Sequence, residues 1–233
     1  MYIKMDKLPR VSVLTPLTHD RLKFVDLMIG NIMNQDYPHE LIEWVVVGDN
    51  IKETQTVFEN IFQKIEKVKC KYIPCNVMKD IGKKRNFCVK NASNKILANM
   101  DSDDIYQKTF LSYSVNELKK RQCGIVGCKD LMILFPKNKK MIYIQGTSLH
   151  EGTSVFTKKH WKSIKYKEGV PCAEGHDMAF NGNSCNELDI RKMMICISHS
   201  TNTFDKSRFI DNPEIEISPE KLSELLKLIP RDS

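Results

Sequence analysis

Residues 95–106 read KILANMDSDDIY, in which a strand-like run of Ile96, Leu97, Ala98 and Met100 ends in Asp101, Asp103 and Asp104. Carboxylates packed this closely repel one another unless they face water or share a positive partner. Mg²⁺ and Mn²⁺ are such partners. Both prefer hard oxygen ligands, and one or two carboxylates completed by substrate phosphates is a common arrangement. In that chemistry two aspartates separated by a single residue divide the work, one taking the cation and the other a ligand hydroxyl. The alternative is an acidic turn in which Asp101 or Asp104 caps the next helix. The spacing alone admits both.

The elements that must position these carboxylates are legible upstream. VSVLT at 11–15 is a short buried-strand run stopped by Pro16, after which Leu22, Val25, Ile29, Ile32 and Met33 recur at helical spacing from Asp20 onward. WVVVGD at 44–49 reads as a second strand. Val57, Phe58, Ile61, Phe62 and Ile65 share a helical face, KCKYI from 69 is a third strand, and 82–94 reads as a helix leading into the acidic strand. Strands alternating with helices in this way give a parallel sheet covered on both faces, with ligands at the carboxyl ends of its strands. Thr15, Asp49 and Asp101 all fall at such ends. Adjacent strands would join them into one crevice.

Beyond Asp104 the pattern changes. A helix around 107–120 leads into strand candidates at 123–135 and 140–146, joined by the basic loop PKNKK, as in a hairpin or mixed-sheet addition. TSVFT and DIRKMMICIS are further strand candidates. SPEKLSELLKLI is a terminal helix with Ser218 as N-cap and Pro219 at its first position. The fold class is α/β, a mostly parallel central sheet with helices on both faces plus a smaller mixed or antiparallel extension.

Composition narrows the partners. A formal charge of +7, with 28% charged and 41% hydrophobic residues, suits a soluble globular chain. The basic residues are scattered apart from Lys83, Lys84, Arg85 and PKNKK, which argues against nucleic acid, and Lys83 and Lys84 read as a solvated helix face. MYIKMDKLPR lacks the apolar segment of a signal peptide, and no run approaches the length of a membrane span, so a soluble, cytoplasmic protein without stable membrane insertion is expected. The eight cysteines lie in strand and helix patterns or in pairs without a full zinc ligand set, and read as reduced thiols.

Several ordered segments, VSVLTPLTHDR, NQDYP, WVVVGDN, GKKRN, NMDSDD, EGHDMAF and HSTNT, together resemble the family 2 glycosyltransferases of the GT-A fold from about residue 10 to 205. The resemblance implies one domain over 1–233, with a nucleotide-binding half at about 10–104, an acceptor-binding half at about 105–205 and a helical tail at 206–233. It implies an inverting enzyme that moves one sugar from a UDP-sugar to a hydroxyl of a glycan, glycoprotein or other acceptor. Thr15 and Asp49 would hold the nucleotide, Asp49 accepting from the uracil ring N–H. Arg85 would approach the base or diphosphate, and Asp101 the ribose. Asp103 and His199 would hold Mn²⁺ or Mg²⁺, with Asp104 a cap or supporting group. Asp177 would be the general base.

Two departures matter. His176 stands where relatives commonly place an acidic residue, which leaves Glu174 as an alternative base. The second strand ends in Gly48, Asp49 and Asn50 where two adjacent aspartates are more usual. No segment of the processive-synthase type follows, so single-sugar transfer is expected. An inactive nucleotide-sugar binding module and a sugar nucleotidyltransferase remain as alternatives; TPLTHDR lacks the glycines of a phosphate loop, against the latter.

Overall fold

The computed structural model describes residues 8–76, 80–179, 184, 185 and 187–230. The first half runs β1 (Val11–Pro16), α1 (Val25–Met33), β2 (Ile42–Asp49), α2 (Lys52–Phe62), β3 (Lys69–Cys75), α3 (Ile81–Asn91) and β4 (Ile96–Asn99). It continues through β5 (Ile105–Tyr106), α4 (Phe110–Arg121), β6 (Ile125–Val126), β7 (Leu131–Phe135), β8 (Lys140–Ile144) and β9 (Val155–Thr157). Last come α5 (Lys158–Ser163), α6 (His176–Ala179), β10 (Ser184–Cys185), β11 (Met194–Ile197) and α7 (Pro219–Lys227). Phe180, the end of the EGHDMAF segment, lies outside the described residues, as do 1–7 and 231–233 at the limits of the expected domain.

The main sheet has the order β10-β6-β9-β4-β1-β2-β3. β1 lies between β2 and β4 and is parallel to both, with Val11 opposite Ile42 and Ile96. The polar ends of these three strands are therefore neighbours, as the crevice expectation requires. β2 is buried along its whole length, which is why its sequence is a continuous apolar run rather than an alternation. Side chains still divide between faces with period two. Val13, Trp44 and Val46 pack with Leu27, Ile32 and Phe58 from α1 and α2. Leu14, Val45, Val47 and Leu97 pack with Cys88 and Val89 from α3.

The later strands do two different jobs. β9 runs antiparallel between β4 and β6 and so extends the main sheet. The second sheet, β5-β11-β7-β8, contains the expected hairpin, with β7 and β8 antiparallel about the PKNKK loop. The segment read as one strand over 123–135 is two strands in two sheets, β6 and β7. Asp130 interrupts it, accepting from the Tyr143 hydroxyl at 2.5 Å and the Gly146 N–H at 3.2 Å.

Caps explain several boundaries. Asp80 accepts from the Lys83 N–H at 3.0 Å and starts α3, and Ser218 does the same for α7 with Pro219 behind it. Gly82 is required at the start of α3, because a Cβ there would lie 1.9 Å from the Lys167 carbonyl oxygen. The helix expected from Asp20 begins instead as a 3₁₀ turn, His19–Phe24, and becomes α1 at Val25. All eight cysteines are free. Among the described residues no helix is long and apolar enough to cross a membrane.

The sheet is locked at the end opposite the crevice by Glu43. Its carboxylate accepts from the Ser12 hydroxyl at 2.5 Å, the Ser93 N–H and hydroxyl at 2.7 Å each, and Lys71 at 2.7 Å. Burial pushes this carboxyl up, but the Lys71, Ser12 and Ser93 bonds overcome it and bring the pKa down to about 2. A pKa below the unfolded value stabilises the fold above about pH 4.5, and that contribution is lost as pH falls toward 2. Glu43→Gln should lower stability at pH 7 and flatten its dependence through this window, read from urea denaturation midpoints between pH 2 and 7.

Candidate functional site

The carboxyl ends of β1 and β4 open into a cavity of about 150 Å³. Arg85, Asp101, Asp103 and Glu174 line it together with Arg21, His150, Glu151 and Lys206. Its centre is Arg85. Lys84, Arg85 and Asn86 of α3 are all buried, and Arg85 is 4% exposed. Its Nε donates to Glu174 Oε1 at 2.7 Å, its Nη2 donates to Asp101 Oδ2 at 3.0 Å, and its Nη1 lies 2.8 Å from Asp101 Oδ1. Burial alone would lower the guanidinium pKa, yet the two carboxylates hold it well above its ordinary value.

Each of the three aspartates has its own positive partner. Asp101 pairs with Arg85. Asp103 accepts from Arg21 Nη1 at 3.2 Å through Oδ1, and its Oδ2 lies 2.9 Å from His199 Nε2. Burial pushes the Asp103 carboxyl up, but Arg21, His199 and Lys206 hold it well below the usual range. Asp104 accepts from the Ile197 N–H at 2.9 Å and lies 3.6 Å from Lys206 Nζ. Burial, with Asp103 and Asp101 adding to it against Lys206, leaves the Asp104 carboxyl at about 6. Asp104 therefore ties β11 to the acidic turn, and no helix cap is involved.

The other expected site residues lie nearby. Thr15 is buried and accepts from Trp44 Nε1 at 3.0 Å. Asp49 accepts from the His19 N–H at 3.0 Å and from Lys84 Nζ at 2.5 Å. Neither lines the cavity itself. Lys84 corrects the reading of a solvated lysine pair: it is 1% exposed and also donates to the Leu17 carbonyl at 2.7 Å. A charged side chain at that depth is tolerated only because both partners wait for it. Asp177 stands on α6 with its side chain 65% exposed, 3.4 Å from the His176 ring, and does not line the cavity. Glu174 does.

The acidic turn can be tested against a divalent cation. His199 has partners in either tautomer: Nδ1 can accept from the Thr201 N–H at 3.2 Å or donate to the Thr201 hydroxyl at 3.0 Å, and with the proton on Nδ1 the Nε2 lone pair accepts from Asn202 Nδ2 at 2.8 Å beside Asp103. Two ligands at right angles on an octahedral ion with bonds of about 2.1 Å sit about 3 Å apart. Asp103 Oδ2 and His199 Nε2 are 2.9 Å apart, so these donors fit one ion in the neutral tautomer that carries its proton on Nδ1. Among the described residues no third His, Cys, Asp or Glu joins them, which leaves the remaining positions to phosphate and water oxygens.

Several cavity residues escaped the sequence reading. His150 and Glu151 come from a segment with no periodicity, and the buried His150 Nδ1 has no hydrogen-bond partner. Burial lowers the His150 pKa and raises that of Glu151. Arg21 lies within the VSVLTPLTHDR segment but carried no role there, and its Nη2 also donates to Thr203 Oγ1 at 2.9 Å. Lys206 sits just beyond HSTNT. The available signal was their place within, or beside, the resembling segments.

The Asp49–Lys84 pair yields a stability test. Lys84→Met should cost about 3–5 kcal/mol, the range for stranding a buried charge. Asp49→Asn added to the same chain should recover much of that loss, measured by chemical denaturation.

None of the curated protein sequences compared with the chain matches it. Solved structures do. A 1–349 fragment of S. aureus TarS in complex with UDP-GlcNAc superposes with a TM-score of 0.64 at 16% identity, over 94% of this chain and 65% of that one. The mannosyltransferase PcManGT from Pyrobaculum calidifontis, in complex with GDP-Man and Mn²⁺, gives 0.63 at 17% identity over 81% and 56%. A longer TarS chain gives 0.62 at 18% identity, and this chain spans 36% of it. These likenesses show the GT-A fold. The profile described as Glycosyl transferase family 2 matches residues 12–176, from β1 to the start of α6 and including the whole acidic turn. With most of its length matched, including Arg85 and the acidic turn, the chain belongs to glycosyl transferase family 2.

Proposed function

We propose that this glycosyltransferase moves one sugar from a UDP-sugar to an acceptor hydroxyl with inversion, in a metal-dependent reaction. One observation carries the reading: Asp101, Asp103 and Arg85 converge on a single cavity at the carboxyl ends of β1 and β4. The chain would work as one domain, about 10–104 holding the donor and about 105–205 the acceptor. Asp49 would read the uracil N–H; Lys84 and His19 fix its carboxylate while leaving lone pairs to accept. Thr15 supports the same strand end, Asp101 takes the ribose, and Arg85 with Arg21 faces the diphosphate. Asp103 and His199 would hold Mn²⁺ or Mg²⁺, which when bound supplies charge stabilisation to the diphosphate as it leaves.

In the transfer, the acceptor oxygen attacks the anomeric carbon from the face opposite UDP. The new C–O bond forms as the bond to the β-phosphate oxygen breaks, its electron pair leaving with UDP. The hydroxyl proton passes to a carboxylate, Asp177 by its place in the EGHDMAF segment, with Glu174 as the alternative. Glu174 has the better position on the cavity, and Asp177 the freer carboxylate. The TarS complex contains UDP-GlcNAc and the PcManGT complex GDP-Man with Mn²⁺, so the donor base needs its own measurement.

Incubation with UDP-sugars and Mn²⁺ separates the function classes. Release of UDP supports transfer or donor hydrolysis, release of pyrophosphate a nucleotidyltransferase, and binding without turnover an inactive module. Asp103→Ala should abolish Mn²⁺-dependent UDP binding in titration calorimetry; unchanged UDP affinity with the metal still required would remove Asp103 from the metal site. UDP should raise Tm more than GDP or ADP at equal concentration, and Asp49→Ala should erase that preference at a cost of roughly 1.5–3 kcal/mol in UDP binding.

Asp177→Asn should reduce turnover about 10²–10⁴-fold with UDP-sugar binding nearly unchanged. Glu174→Gln is the paired measurement. Loss of turnover in Glu174→Gln alone moves the base to Glu174, and retention in both variants excludes a base on this segment.

A further inference from the structure

A second depression, about 470 Å³, opens beside the donor cavity on the face of the second sheet. His150, Glu151, Cys172, Ala173, Phe204 and Lys206 line both, so the two share one wall. Its floor is apolar, made by Leu131 and Ile133 of β7, Ile144 of β8 and Leu149. Its outer end is a different surface. Phe204 and Phe209 stack with ring centroids 6.0 Å apart, and the Arg208 guanidinium carbon lies 4.1 Å from one centroid and 4.8 Å from the other. Lys129 stands on the same rim.

Lys206 is committed to Asp104 and to the Ile197 carbonyl, whereas Arg208 and Lys129 make no ion pair within 4 Å among the described residues, and Arg208 acts on the exposed Asp205 only from beyond that distance. A guanidinium over aromatic rings still has N–H donors to offer, in the fork that matches a carboxylate or phosphate. Aromatic faces beside it offer apolar area to the C–H face of a sugar ring. Among the charged groups lining the groove, Glu151 is the one carboxylate, and it lies on the shared wall.

We propose that this groove is the acceptor subsite and that it takes an anionic sugar. The ring rests on Phe204 and Phe209, its phosphate or carboxylate meets Arg208 and Lys129, and its reactive hydroxyl passes His150 into the donor cavity. The inference rests on the reading of that cavity as the donor site. A neutral glycan would leave the two rim cations unmatched, and a duplex nucleic acid is too wide for a groove of this volume.

The test uses glucose, glucuronate and glucose 6-phosphate, which share a ring and differ in charge at one carbon. Titration of each into the full chain, with and without UDP and Mn²⁺, should show glucose 6-phosphate or glucuronate binding at least about tenfold more tightly than glucose; the ranking of the two anions identifies phosphate or carboxylate as the recognised group. Arg208→Gln should remove most of the preference and Lys129→Gln part of it. Phe209→Leu should weaken all three sugars. Arg208 is exposed, so its variant should fold, which circular dichroism checks. Equal binding of the three sugars, no binding of any, or a preference that survives in both Arg208→Gln and Lys129→Gln overturns the proposal. UDP titrated with Mn²⁺ and no sugar reports on the donor cavity separately: its failure strikes the donor reading, while the anion preference measured without UDP still decides the groove.

Discussion

The arrangement of the site depends on burying one guanidinium. Arg85 is 4% exposed and meets Asp101 at the end of β4 and Glu174 just before α6. A cation at that depth is unstable unless both carboxylates converge on it, and the converse holds for them. One side chain on α3 thus fixes the distance between the end of β4 and a loop 89 residues beyond Arg85 itself. Its neighbour Lys84 acts similarly on Asp49 and the Leu17 carbonyl. Consecutive residues on a helix point about 100° apart, so α3 reaches two strand ends at once. It clamps the crevice from one side.

The same logic explains how three carboxylates coexist in KILANMDSDDIY. Arg85 comes from α3, Arg21 from the turn before α1, His199 from the end of β11, and Lys206 from the segment beyond it. Each carboxylate is compensated from a different part of the chain, so the cluster holds distant segments together while its outer oxygens face the cavity. Five carboxylates and three Arg or Lys side chains line the cavity. A divalent cation would bring positive charge to Asp103, where the lining is short of it, and a diphosphate would bring negative charge to Arg21 and Arg85. The two are therefore complementary as a pair.

Legibility in the sequence followed periodicity. β1, β2 and β4 were readable because buried parallel strands are continuous apolar runs, β3 as a short mixed run that proves to be the sheet edge, and α7 because its cap and proline precede a clear apolar stripe. Lys84 was misread for a physical reason. A lysine beside another lysine on a helix normally marks solvent, and only its pairing with Asp49, 35 residues earlier, makes burial tolerable. No local pattern encodes such a pairing. The same holds for His150 and Glu151, whose segment is irregular because it follows the wall of a cavity instead of a sheet. Placement of β9 in the main sheet was equally hidden, since VFT specifies a strand but not its partner.

The two carboxylates on the segment around α6 illustrate how geometry and chemistry can pull apart. Glu174 faces the cavity, but its Oε1 is already engaged by the buried Arg85 guanidinium at 2.7 Å. Asp177, three residues later, is not so restrained; its contact with His176 is long and exposed. On the proposed reading, Glu174 anchors the segment through its ion pair with Arg85, while Asp177, outside the cavity lining, keeps a carboxylate open to an acceptor that arrives from solvent.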